Sequence, residues 1–264
     1  MAVSLAIILI LGLFMNKIFE KLKLPGLLGM LIVGVAMGPY GLDMISSEIM
    51  TISSDLRKIA LIVILLRAGF GLNRDQLNKV GGAAIRMSSI PGIMEGFAVL
   101  FIAMYLFDIP FVEAGMLGFI AGGAIGFVIL EKDFTRAKRL SLKFNKVWVL
   151  AEILLFVLVG AQVNINVMLD SGVLGLLIIL GGLIFRSLGV MISLLGTKLE
   201  KKEKLFSVIA YIPKATVQAA MGAVPLSLGV PSGELILAIS VLAIVVTAPL
   251  GAIGIKIAGE KLLD

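Results

Sequence analysis

Apolar stretches of about 20 residues recur along this chain, and they restrict its possible folds more than any other feature. A helix of that length just spans the hydrocarbon core of a bilayer. Only 15% of the 264 residues are charged and 59% are hydrophobic, whereas about a quarter of the residues of a soluble domain are charged. Because so few polar side chains cannot cover a soluble surface, the sequence predicts an all-α integral membrane protein.

The apolar stretches predict about nine membrane-spanning helices. The predicted spans are residues 2–16, 24–42, 56–72, 80–106, 111–130, 146–164, 172–195, 204–228 and 234–256. Basic residues concentrate in every second loop, at 17–23, 73–79, 131–146 and 196–204. The intervening loops contain no Lys or Arg, and only Arg57 and Lys58, at a predicted helix edge, depart from the alternation. Since basic loops face the cytoplasm, the pattern predicts a multi-pass plasma (inner) membrane protein with its N-terminus outside and its C-terminus cytoplasmic.

Two residue types are missing, and their absence excludes several classes of function. The sequence has no cysteine and no histidine, which excludes disulfides, thiolate or histidine metal sites and cysteine nucleophiles. The remaining charged residues form no clustered acid–base constellation, so the sequence predicts neither an enzyme nor a cofactor or metal. The net charge of +6 is explained by cytoplasmic loops rather than by binding to nucleic acid.

The two halves of the sequence resemble each other at an offset of 91 residues. This offset aligns residues 69–73 with 160–164 and places Glu95 on Arg186. The loop charges give the aligned helices opposite orientations, and inverted repeats of this kind are typical of secondary transporters. The similarity predicts an inverted repeat within a single polytopic domain. The alternative explanation is chance similarity between Gly-rich helices. The repeat-like parts are residues 1–120 and 121–264.

Charged side chains within the predicted spans are the first candidates for function, because each costs about 2.5–3.5 kcal/mol at a helix centre. They are Arg67, Arg86, Glu95, Glu152, Arg186 and Lys214. Glu95 and Arg186 occupy equivalent repeat positions, which predicts an intramembrane ion pair near mid-depth with either a structural or a transport role. Arg67 and Arg86 lie close enough to the cytoplasmic ends to extend to the interface, and Glu152 could pair with either of them or with the basic 131–146 loop.

Lys214 is the candidate ion-pathway residue that its local sequence singles out. It follows Pro213, which removes a backbone hydrogen bond from a helix. Irregular backbone at membrane depth survives only inside protein or beside a water-filled cavity. Thr216 and Gln218, in the next turn, add polar groups. These four residues predict an ion pathway.

Five segments, in chain order, resemble motifs of the cation/proton antiporter superfamily, most closely its bacterial sodium/hydrogen exchanger-like group. They are LPGLLGMLIVGVAMGP at 24–39, LLRAGFGLN at 65–73, FVLVGAQVN at 156–164, IPKATVQAA at 212–220 and VLAIVVTAPLGA at 241–252. The resemblance implies an antiporter fold of inverted repeats that exports sodium or lithium in exchange for protons by alternating access. It also implies monovalent cations, protons and the lipid bilayer as partners, and it allows a homodimer.

One departure from the family pattern predicts an internal deletion. In the family, a stretch like Ala114–Ile120 leads to the first crossover and to a helix whose Asp-Asp or Asn-Asp pair binds either cations or protons. Here Ile120 runs directly into AGGAIGF at 121–127, which resembles the second repeat. A natural compact variant, an engineered deletion and a damaged or misassembled gene remain alternative explanations. The sequence thus predicts an antiporter by descent with little or no exchange; the alternative is a non-transporting membrane scaffold or a truncated remnant.

Overall fold

The computed structural model describes the backbone of residues 1–70, 74–122 and 134–263, and the side chains of residues 1–64, 82–121 and 147–263. Within these ranges the secondary structure is helical. The helices are α1 (Ala2–Lys21), α2 (Gly26–Met37), α3 (Ser47–Phe70), α4 (Arg74–Phe107), α5 (Phe111–Gly122), α6 (Phe134–Ala161), α7 (Ile165–Asp170), α8 (Gly172–Ser193), α9 (Lys201–Ala210), α10 (Thr216–Gly222), α11 (Val224–Ser227) and α12 (Gly233–Leu262). The prediction of an all-α membrane fold is confirmed.

Four of the described helices are long and apolar enough to cross a bilayer. They comprise Ala2–Lys21, Gly82–Phe107, Gly172–Ser193 and Gly233–Leu262. Three shorter apolar helices lie at Gly26–Met37, Phe111–Ala121 and Val147–Ala161. The count of nine spans stays a prediction, because parts of the predicted spans 56–72 and 111–130 and of the 131–146 loop lie outside the described residues.

The chain divides into two compact units, each built from separate stretches of sequence. The first unit comprises residues 1–79 and 127–165, and the second comprises residues 80–126 and 166–264. Neither coincides with the repeat-like parts predicted from the sequence. However, the helices related by the 91-residue offset fall largely in the same unit: α3 and α6 in the first, and α8 and most of α4, from Val80 onward, in the second. The assignment of repeats stays a prediction.

In the first unit, α6 packs against α1, α2 and α3. The crossing of α2 and α6 is close because glycines lie on both sides of it. A methyl group added at Gly34 would overlap the carbonyl oxygen of Val157, and one added at Gly160 would overlap the carbonyl oxygen of Leu31. Small residues that let helix backbones approach are the usual basis of packing inside membranes. The motifs at 24–39 and 156–164 therefore contribute a helix contact.

In the second unit, α12 is the central helix, and it contacts α5, α8, α9, α10 and α11. Its apolar residues are buried on several sides, including Ile236, Val241 and Ile244. A helix that is apolar all round is suited to the interior of a protein or to a membrane. The helix thereby provides a framework for the shorter helices α9, α10 and α11.

The span predicted at residues 204–228 is not a single helix. Helix α9 ends at Ala210, residues 211–215 are not helical, and α10 begins at Thr216. The break follows from Pro213, which has no N–H to donate and disfavours the helical conformation of Ile212. The sequence showed the proline and its consequence for one hydrogen bond, but the length of the non-helical segment was not predicted.

The prediction that Arg57 lies at a helix edge is also wrong. It lies within α3 and is buried, with 4% of its surface exposed, and its Nε donates to the carbonyl oxygen of Ser53 at 3.2 Å. The hydroxyl of the same serine accepts a hydrogen bond from Gln162 Nε2 at 2.9 Å. Polar groups of α3 and of the turn after α6 thus meet inside the first unit.

Candidate functional site

The centre of the candidate site is the carboxylate of Glu95, on α4 in the second unit. Glu95 is fully buried, and its Oε2 lies 2.6 Å from Nη1 of Arg186 on α8. The ion pair predicted from the 91-residue offset is therefore present. Space for the carboxylate comes from Gly182, one turn before the arginine, because a Cβ at that position would lie 3.2 Å from Glu95 Oε1. A larger residue at position 182 would therefore press against the Glu95 carboxylate.

Lys214 is a second cation on the same carboxylate, a contact that the sequence did not predict. Its Nζ donates to Glu95 Oε1 and also to the carbonyl oxygen of Ala121 at 3.2 Å. The side chain is 5% exposed. Both oxygens of Glu95 thus accept from a cation, and three charged groups from α4, α8 and the segment 211–215 meet inside the second unit.

The non-helical segment is held in place through its backbone. The N–H of Lys214 donates to Thr247 Oγ1 of α12 at 3.0 Å, and Thr247 is fully buried. A Cβ at Gly251, one turn further along α12, would overlap the ring of Pro213. Sequence reasoning missed Thr247 as a site residue, although it lies in the quoted motif at 241–252. A hydroxyl in an otherwise apolar helix was the signal that could have identified it.

Tyr211 contacts Arg186 through both its backbone and its ring. Arg186 Nε donates to the carbonyl oxygen of Tyr211 at 2.7 Å, and its guanidinium carbon lies 5.6 Å from the centre of the Tyr211 ring. That distance is within the range of a cation–π interaction. The Tyr211 hydroxyl in turn donates to the carbonyl oxygen of Met87 on α4 at 3.2 Å. The break after α9 therefore supplies an acceptor and an aromatic face to Arg186.

A cavity of about 330 Å³ lies beside the charged groups. All four residues of the predicted ion pathway line it, together with Arg186. The pathway residues are Pro213, Lys214, Thr216 and Gln218. Ile120, Ala121, Ala215 and Val217 complete its wall. The cavity thus brings together residues that sequence analysis treated as two groups, the pathway around Lys214 and the Glu95–Arg186 pair.

The remaining charged candidates are Arg86 in the second unit, Glu152 in the first, and Arg67, whose side chain lies outside the described residues. Arg86 donates through Nε to the carbonyl oxygen of Ser193 at 2.9 Å and through Nη2 to that of Leu195 at 3.2 Å, at the C-terminal end of α8. A cation there satisfies carbonyls that have no partner within the helix. Glu152 is half-buried on α6, and the Arg67 side chain lies outside the described residues.

Comparison with known proteins identifies the family. The family model described as "Sodium/hydrogen exchanger, transmembrane" matches residues 5–130 and 119–261. The chain belongs to the sodium/hydrogen exchanger family. The two matched stretches together cover almost all of the exchanger-family chain, and they share residues 119–130. The predicted membership of the cation/proton antiporter superfamily is confirmed.

Individual relatives agree with this assignment. Over 124 residues, 36% are identical to "Sodium/hydrogen exchanger 9B2" of Bison bison bison, a match that covers 44% of this chain and 23% of that protein. Over 186 residues, 32% are identical to the human "Putative SLC9B1-like protein SLC9B1P1", with 65% of this chain and 64% of that protein covered. The exchanger-family chain thus matches only part of the length of these curated relatives.

The fold also resembles that of a solved transporter. The sodium proton antiporter MjNhaP1 from Methanocaldococcus jannaschii superposes with a TM-score of 0.78 at 19% identity, and the match covers 98% of this chain and 97% of that chain. At that identity the likeness establishes the fold alone. The exchanger-family chain therefore has an antiporter-like fold, and what it transports has to be argued from its own residues.

Proposed function

We propose that this chain is a monovalent cation/proton antiporter-type membrane protein that, in isolated form, exchanges little or no sodium or lithium for protons. Its ancestry supplies the alternating-access fold and the cavity around Lys214. The observation that argues against exchange concerns Glu95. Its side chain is fully buried, and each of its carboxylate oxygens accepts a hydrogen bond from a cation. Among the residues that the structure describes around the cavity, a dehydrated cation would meet no carboxylate free to bind it.

The energetic argument concerns dehydration. A small cation that leaves water for a low-dielectric site loses its hydration, and neutral oxygens alone compensate that loss poorly. Thr216 and Gln218 offer such oxygens at the cavity wall. Lys214 and Arg186 would repel the ion. Sodium binding is therefore disfavoured unless one of these cations moves away from the cavity.

The overlap of the two family matches supports the predicted internal deletion. Residues 119–130 are matched once as part of the first stretch and once as part of the second. A chain in which the start of one family helix is joined to the end of another would give such an overlap. The proposal places the join near Ile120, so the acidic pair that the resemblance implies has no counterpart. Residues 123–133 themselves lie outside the described structure.

The test is a transport assay in proteoliposomes. Purified protein is reconstituted with an imposed pH gradient, and the dequenching of a pH-sensitive dye is followed after addition of sodium or lithium. We expect no cation-dependent dequenching above protein-free vesicles, whereas a family relative that contains the acidic pair gives a saturable signal. Robust, saturable exchange that disappears in Lys214→Ala or Glu95→Gln would refute the proposal and assign transport to the charged groups described here.

We further propose that residue 1 lies outside the plasma membrane and residue 264 in the cytoplasm. The chain contains no cysteine, so each single-cysteine variant reports one position. Lys138→Cys, in the basic segment 131–146 that includes the start of α6, is expected to react with an impermeant maleimide only from the cytoplasmic side. Met44→Cys, in the Lys- and Arg-free connection between α2 and α3, is the matched control and is expected to react only from outside. The reverse pattern would contradict the orientation.

A further inference from the structure

The charges around the cavity do not balance. Glu95 contributes one negative charge, and its two contacting cations, Arg186 and Lys214, contribute two positive charges. Among the described residues no other charged side chain contacts these three groups, so the cluster has a net charge of +1 when each group is ionised. Burying net charge is costly unless a counter-charge is nearby. A ligand with one negative charge would therefore stabilise this cluster.

The two cations in the cavity wall carry more N–H donors than they have partners among the described residues. An ammonium group carries three N–H donors, and the described partners of Lys214 use two of them, for Glu95 and for Ala121. A guanidinium carries five, and Arg186 uses one for Tyr211 and one for Glu95. Unused donors thus remain on both cations that line the cavity.

Gln218 is an independent indication of a ligand. It lines the cavity and is only 5% exposed. Its side chain makes no hydrogen bond with any residue that the structure describes. The amide atoms of Gln218 are not among the buried, unpartnered side-chain atoms of the described residues, so they are accessible from the cavity, where water or a ligand can be their partner. A ligand in the cavity would provide one, and an anion would accept from the amide nitrogen as it does from the two cations.

We propose that this cavity binds a small monovalent inorganic anion, such as chloride, bromide or nitrate, against Lys214, Arg186 and Gln218. The proposal concerns the cavity of the proposed function and rests on its charge arrangement, but it does not depend on whether sodium is exchanged. One bound anion brings the cluster to neutrality and accepts the unused N–H groups. Weakly hydrated monovalent anions are favoured over sulfate, because sulfate has a double charge and loses more hydration on entering a partly apolar cavity.

The experiment measures thermal unfolding of the purified protein in detergent, with sodium gluconate progressively replaced by sodium chloride, bromide or nitrate at constant ionic strength. A ligand that binds the native state raises the unfolding temperature in a concentration-dependent and saturable way. We expect such a rise with the three monovalent anions and a weaker one with sulfate. General salt effects do not saturate, and they follow the opposite order because sulfate strengthens burial.

Two variants locate the effect. Lys214→Gln leaves the cluster neutral, and Gln218→Leu removes the amide while keeping the volume; each is expected to weaken anion binding at least about tenfold. Lys256→Gln makes the same charge change at an exposed position of α12 and is expected to leave the titration unchanged. An unfolding temperature that does not respond to the anion would overturn the proposal, as would a response that Lys214→Gln leaves intact. The assay contains no gradient, so its failure is distinguishable from a failure of the proposal on sodium exchange.

Discussion

Replacing Glu95 with glutamine is expected to lower the free energy of unfolding by about 3–5 kcal/mol, because it leaves the buried Lys214 and the partly buried Arg186 without their counter-ion. Arg186 and Lys214 would then face a neutral amide, and the mutual repulsion of these cations would no longer be offset. The measurement is chemical or thermal unfolding in detergent, followed by circular dichroism. Glu260→Gln, at an exposed position of α12, is the matched control and should change stability little.

Replacing either cation alone is expected to lower the free energy of unfolding less than replacing the carboxylate does. Arg186→Gln leaves the Glu95–Lys214 pair, and Lys214→Gln leaves the Glu95–Arg186 pair, so each should cost only about 1–3 kcal/mol, the value of a hydrogen bond to a charged group. Adding Lys214→Gln to Glu95→Gln should recover part of the lost stability, because it removes one orphaned charge. If either cation variant were less stable than Glu95→Gln, the shared-carboxylate arrangement would be wrong.

Substituting alanine for Gly34 is expected to destabilise the first unit by about 3 kcal/mol, at the upper end of the usual cost of overpacking. The added methyl group would overlap the carbonyl oxygen of Val157, and backbone cannot move aside as a flexible side chain can. Gly160→Ala should have a similar effect, because its methyl group would overlap the carbonyl oxygen of Leu31. Unfolding in detergent measures both variants.

Gly82→Ala provides the control for the glycine substitutions. Gly82 lies within α4, and a Cβ there would meet nothing within 4 Å. Alanine has the higher helix propensity, so this variant is expected to be neutral or to gain up to about 1 kcal/mol. Equal effects at Gly34 and Gly82 would show that helix propensity, and not the close approach of α2 and α6, determines the cost.

The sequence predicted the features that depend on local composition and on repetition along the chain. The apolar stretches identified a helical membrane protein because the cost of burying backbone and charge in lipid leaves few alternatives. The offset of 91 residues predicted that Glu95 would meet Arg186, and their charged groups lie 2.6 Å apart. Pro213 likewise marked the break in the helix, since the lack of an N–H is a property of the residue itself.

What only the tertiary structure decided is which groups share the site. Lys214 lies 119 positions after Glu95, outside the repeat relation, and it reaches the same carboxylate because α4, α8 and the segment 211–215 pack together in the second unit. Thr247 joins the site for the same reason, since α12 presents its hydroxyl to the Lys214 N–H. A sequence fixes which charges a chain carries, but the balance of charge at one point depends on distances between segments far apart along the chain.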